Sequence, residues 1–186
     1  MEKTKVRDLM RPVQDFARLS SGATLIEAVE ALEKSQQDYL AGKAPQRILL
    51  VENEKGEIVG KLSPMDVVQG LEPNYSKIDN LKEMSRFGFS AETLNTMKDE
   101  YRLWEKPLSE LCRKAYGVKI DSFVRLPAPD HMVAAEERMD KAFHRFVVGR
   151  HDSLFVQEGK QIVGLIRFSD VYQSIAETMR ACPLAE

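Results

Sequence analysis

The chain has 186 residues, 43% hydrophobic and 30% charged, the balance of an ordinary globular protein with enough length to bury a sizeable core. A net charge of -2 gives no electrostatic reason to expect nucleic acid or an anionic membrane as partner, and no apolar run approaches the roughly 20 residues that a spanning helix needs. The first residues lack the apolar segment of a secretory signal, and the two cysteines, Cys112 and Cys182, make no disulfide framework, so a reducing, cytoplasmic setting is expected.

In chain order, Thr4 caps a predicted short helix running to Arg11 and stopped by Pro12. Phe16 to Leu19 reads as a short strand. Thr24 and Glu27 form a capping box, and Leu25, Ala28, Val29 and Leu32 supply the apolar stripe of the helix that follows. Residues 36–46, with Gly42 and Pro45, read as a loop. Strands over 48–51 and 57–62 flank a hairpin turn in which Gly56 takes a positive φ. Ser63 then caps a helix with Pro64 at its first position and Asp66 in its first turn.

Residues 71–107 read as a helical hairpin, one arm carrying Ile78, Leu81, Met84 and Phe87, the other Leu94, Met97, Tyr101 and Trp104. Its apolar faces either pack on the flanking lobes or offer a partner surface. Beyond it, a helix over 108–116 is stopped by Gly117, and Phe123 to Leu126 matches Phe16 to Leu19 and predicts a strand. A helix over 130–143, strands over 154–157 and 161–166, and a helix from Ser169 complete the chain. Each half reads strand–helix–strand–strand–helix. Gly60 to Asp66 and Gly164 to Asp170 are identically spaced, so the chain is an internal duplication, with clefts between its halves as the natural place for a small ligand.

At these junctions the residue chemistry differs. Asp66 is an acceptor able to take hydrogen bonds from two hydroxyls at once, and equally a favourable residue in a first helical turn. Ser63 is a cap or a ligand contact. Arg167 stands in the slot that Ser63 fills and cannot accept from helix N–H groups. Either the cap moves to Ser169, or Arg167 faces the cleft to meet an anion, or it is solvated. Enzymatic readings find little: His131, His144 and His151 lack metal-ligand spacing, neither cysteine has a nucleophile signature, and Gly149 and Gly159 are isolated, so there is no phosphate-binding glycine loop.

The strings Val6 to Met10, Thr24 to Ala28, Ile48 to Val51, Ile58 to Gly60 and Asp66-Val67, echoed by Leu154 to Val156, Ile162 to Gly164 and Ser169 to Val171, resemble the tandem CBS-domain pair, or Bateman module, over nearly the whole chain. The resemblance implies an α+β fold of two repeats packed with pseudo-twofold symmetry, here 1–70 and 108–186, with 71–107 as an insertion. It implies a stand-alone, non-catalytic regulatory module, often a homodimer, that requires no cofactor and acts on an unidentified effector protein. Its clefts would take AMP, ADP, ATP or S-adenosylmethionine. Asp66 and Asp170 match the family's ribose-binding acid, and Arg47 lies where a phosphate-contacting basic residue is often found. The corresponding slot in the second copy falls near Asp152, just after Arg150 and His151. The expected grouping is Ser63, Asp66 and Arg47 in one cleft and Asp170 with Arg167 in the other. The alternative is a structural or protein-interaction module with degenerate clefts that acts through dimerisation.

Overall fold

The computed structural model describes residues 4–72, 108–124 and 126–181. The expected helical hairpin at 71–107 falls, beyond Glu72, outside the described residues. Among those described, the strands are β1 (Arg11–Pro12), β2 (Ala17–Ser20), β3 (Leu49–Glu52), β4 (Ile58–Leu62), β5 (Met132–Ala134), β6 (Ser153–Glu158) and β7 (Gln161–Arg167). The helices are α1 (Leu25–Leu40), α2 (Pro64–Leu71), α3 (Leu108–Ala115), α4 (Met139–Gly149) and α5 (Phe168–Ala181). The strand–helix–strand–strand–helix order holds in both repeats, as β2-α1-β3-β4-α2 and β5-α4-β6-β7-α5.

Each repeat pairs its first strand parallel to its second and its second antiparallel to its third. The parallel step needs a crossover, which α1 and α4 supply. The central strands β3 and β6 are buried on both faces, and the alternation of side chains sorts them into layers. Leu49 and Val51 face one repeat's helical core with Ala28 and Leu62, and Leu154 and Val156 face the other's with Met139, Ala142 and Phe146. The intervening Leu50 and Phe155 point the opposite way and meet Phe16 and Leu165 in a third cluster. That cluster joins the repeats sheet to sheet.

The repeats exchange segments. Val6 enters the core of the second repeat, where its N–H donates to Glu137 O and the Arg7 N–H to Ala135 O. β1 then adds to the edge of β7, with Arg11 opposite Leu165 and Pro12 opposite Gly164. Reciprocally, Ile120 enters the core of the first repeat with Ala28, Leu49, Val51 and Leu62. Its N–H donates to Ala23 O, and the Leu25 N–H donates to Val118 O.

Several local expectations hold. Thr24 and Glu27 form the capping box of α1, Gly56 has φ +75° in the hairpin turn, and Gly117 closes the turn after α3. Four boundaries differ. The opening helix from Thr4 to Arg11 is a single 3-10 turn, Val6–Asp8, because cross-repeat hydrogen bonds and the β1–β7 pairing take the backbone groups that a helix would use. The predicted loop at 36–46 starts later: α1 continues to Leu40, since nothing breaks it before Gly42. The strand expected over Phe123 to Leu126 does not form at Phe123, Val124 or Leu126. Phe123 and Val124 both turn back to donate to Ile120 O, and the strand is β5. The helix expected over 130–143 is Met139–Gly149, because Met132 to Ala134 are drawn into the sheet beside β6.

Candidate functional site

The β4–α2 junction is built on a capping box. Ser63 Oγ accepts from the Asp66 N–H at 3.4 Å, while one Asp66 carboxylate oxygen accepts from the Ser63 N–H and from Ser63 Oγ, each at 2.7 Å. The sequence reading of Ser63 as a cap holds. Asp66 is turned back on its own helix start, satisfying donors that α2 would otherwise leave open.

The β7–α5 junction uses a different chemistry at the same spacing. Arg167 Nε donates to Asp170 Oδ2 at 2.8 Å and Arg167 Nη2 donates to Asp170 Oδ1 at 2.5 Å, a two-point guanidinium–carboxylate pair. Arg11 Nε, arriving with β1 from the other end of the chain, donates to Asp170 Oδ2 at 3.2 Å. The side chains of Arg167 and Asp170 are each 19% exposed. Partial burial works against ionisation of Asp170, but Arg167, and after it Arg11, outweigh it and hold the carboxyl below its usual range. Ser169 lies inside the first turn of α5, so the cap has not moved there. The Phe168 N–H is instead taken by Asp152 O at 2.8 Å.

A cavity of about 700 Å³ opens between the repeats. The first repeat contributes Tyr39 from the end of α1 and Gln46, Arg47 and Ile48 from the approach to β3. The second contributes Asp152 and Ser153 from β6 and its approach, and Arg167, Phe168, Ser169 and Tyr172 from the end of β7 and the first turns of α5. The structure therefore brings Arg47 together with Arg167. Ser63, Asp66 and Asp170 do not line this cavity, and Asp170 acts on it through Arg167. Gln46, 3% exposed, fastens the loop that carries Arg47: its amide donates to Asp15 O at 2.8 Å and its oxygen accepts from the Ile48 N–H. Arg47 Nη1 donates to Gln36 Oε1 at 3.2 Å, and among the described residues no carboxylate lies within ion-pair distance of it. Lys61 reaches across from β4 to Asp152 Oδ1 at 2.8 Å and Ser153 Oγ at 2.6 Å.

Tyr39, Gln46, Lys61, Phe168 and Tyr172 escaped the sequence reading. The doubled register and the family resemblance pointed to Arg47, Asp152 and Arg167, and they indicate neither a helix end nor a lysine from the opposite repeat.

Beside this wall, Arg150 adopts a left-handed backbone with φ +53°, and His151 is partly buried, its Nε2 atom shut off from solvent without a hydrogen bond. Its ring meets His131 edge-on at 3.8 Å between centroids, and Nε2 lies 3.7 Å from the Asp130 carboxylate. Loss of water contact, followed by repulsion from His131, lowers its pKa from 6.5. The folded chain thus binds fewer protons here than the unfolded chain, so stability is full above about pH 6.5 and declines as pH falls toward the lower folded value. A lower melting temperature at pH 5.5 than at pH 7.5 is expected, with a shallower slope in His151→Phe. A melting temperature that rises on acidification would contradict it. Among the described residues no group of histidine, cysteine and acidic side chains could hold a metal ion, and no helix is long and apolar enough to cross a membrane.

No protein-family model matches the chain, and no curated protein matches it in sequence. Solved structures do match in three dimensions. A CBS domain-containing protein of unknown function from Bacillus anthracis aligns at 14% identity with TM-score 0.62, covering 95% of this chain and 95% of that one. CBSX2, an Arabidopsis thaliana protein, in complex with AMP aligns at 16% identity with TM-score 0.57, covering 95% and 98%. The CBS domain of a bacterial CNNM/CorC family Mg2+ transporter in complex with ATP aligns at 15% identity with TM-score 0.58, covering 94% and 89%. With its two matching repeats joined sheet to sheet, this chain has the fold of a tandem CBS-domain pair.

Proposed function

We propose that the protein is a regulatory sensor whose inter-repeat cleft binds an adenine nucleotide. The observation that carries the reading is the cavity of about 700 Å³ lined by a guanidinium from each repeat, Arg47 and Arg167, with Tyr39, Phe168 and Tyr172 as aromatic walls. The size suits a small-molecule ligand. Arginine forks suit phosphate, and aromatic faces suit a base. Three structures of the same fold add support, holding AMP, ATP, or 5'-methylthioadenosine with S-adenosylmethionine. Ser63 and Asp66 would serve the opposite junction. A ligand touching both repeats favours the arrangement it fits best, and that differential affinity is the signal passed to an effector protein.

A second reading, as an interaction module working through dimerisation, draws on exposed apolar side chains. Met65 on α2 is 82% exposed, and Tyr172 and Met179 on α5 are 60% and 72% exposed. The two readings separate in a thermal-shift experiment with AMP, ADP, ATP and S-adenosylmethionine. A ligand at a hundred times its dissociation constant adds about 2.7 kcal/mol, and Arg47→Ala is expected to reduce that shift markedly. A melt unmoved by all four compounds would remove the sensor reading, and an undiminished shift in Arg47→Ala would remove this cleft as its site.

A further inference from the structure

We infer that this cleft selects phosphorylated, anionic adenosine ligands over uncharged adenosine and over the cationic sulfonium of S-adenosylmethionine, and that Arg167 sets the selection. The inference rests on the nucleotide reading above and narrows it to one ligand class.

The two junctions stand in matched register, with Gly60 opposite Val51 in one repeat and Gly164 opposite Val156 in the other. At the first, Ser63 and Asp66 satisfy one another, with no cation among the described residues involved. At the second, a guanidinium takes the place of the hydroxyl, and three consequences follow. Asp170 accepts from both Arg167 and Arg11, so most of its lone pairs are committed and little is left for the two hydroxyls of a ribose. Recognition moves from sugar to phosphate.

Next, two guanidiniums share that single carboxylate, Lys61 cancels the charge of Asp152, and Arg47 has no acidic partner among the described residues. The cavity wall therefore carries surplus positive charge contributed by both repeats. Arg167 is only 19% exposed, so its charge is less screened than that of a surface arginine. A sulfonium placed there meets like charge, and an adenosine without phosphate leaves the cations unanswered. Finally, Arg167 is held by Asp170 before any ligand arrives, and a guanidinium has more N–H donors than the carboxylate takes. It can meet a phosphate oxygen with little further loss of side-chain freedom.

The test is calorimetric titration of the full chain with AMP, ATP, adenosine and S-adenosylmethionine, in the wild type and in Arg167→Ser, which restores the Ser63 pattern. The wild type is expected to bind AMP or ATP at least about tenfold more tightly than adenosine or S-adenosylmethionine, the scale of one charge-assisted contact. Arg167→Ser should bring the ratio within about threefold. Arg167→Gln also removes the charge while keeping a side chain that can donate to Asp170, and should likewise lose the preference, which decides the matter if the serine variant does not fold; Arg167→Lys keeps the charge and should keep the preference. Raising the salt concentration should shrink the wild-type preference. Comparable affinities for all four compounds, or an unchanged ratio in Arg167→Ser, would overturn the selection while leaving the nucleotide reading intact. Failure of every compound to bind would remove both.

Discussion

Ile120→Ala is expected to destabilise the protein by about 2–5 kcal/mol, the range for removing a fully buried aliphatic side chain. Ile120 is 0% exposed and belongs by sequence to the second half, yet it fills the core of the first between Ala28, Leu49, Val51 and Leu62. Domains of this size are stable by only about 5–15 kcal/mol, so the loss is a large fraction of the total. Urea unfolding followed by far-ultraviolet circular dichroism measures it. Leu126→Ala, at a side chain 74% exposed, is the control and should stay within about 0.5 kcal/mol of wild type. Equal effects of the two substitutions would mean that the segment exchange does not hold in solution.

Gly164→Ala is expected to cost about 1–3 kcal/mol through overpacking. A Cβ built on Gly164 would lie 2.3 Å from Arg11 O and 3.1 Å from Arg11 C. Both are backbone atoms that no rotamer change can move aside. The N-terminal strand, only two residues long, would have to lift from β7, and Arg11 would be drawn away from Asp170. Gly22→Ala is the matched control, because its added Cβ meets only Ser20 Oγ at an ordinary 3.7 Å. A melting temperature in Gly164→Ala no lower than in Gly22→Ala would show that β1 does not occupy that edge.

What could be read from the sequence is what short-range rules encode. The Thr24–Glu27 and Ser63–Asp66 boxes, the turn at Gly56 and the order of elements in each repeat follow from spacing and turn chemistry within a few residues. The errors occur where distant contacts override local preference. Val6 to Arg11 has helical spacing, but its backbone pairs with the far repeat. Phe123 to Leu126 copies Phe16 to Leu19 in letters, while the strand equivalent to Ala17–Ser20 is Met132–Ala134, which resembles it in no obvious way. At the site, the identity of Arg167 raised the right question, and the answer needed a third residue, Arg11, that no sequence spacing connects to Asp170. Grouping Arg47 with Ser63 and Asp66 followed the family resemblance, whereas the cavity takes Arg47 from one repeat and Arg167 from the other.

The reciprocal placement of Val6 and Ile120 also governs when folding can finish during synthesis. As the chain leaves the ribosome, the first repeat has its strands and helices early but lacks a plug for its core until Ile120 has emerged. Val6, the first buried side chain among the described residues, has no core to enter until Ile166 and Val171 have emerged. Neither half has a complete apolar interior of its own, so contacts of long sequence separation must form before either is secure. Consequently, neither half could be transplanted alone into another protein and keep its fold, and a truncation that removes either exchanged segment leaves a hole in the repeat it does not belong to.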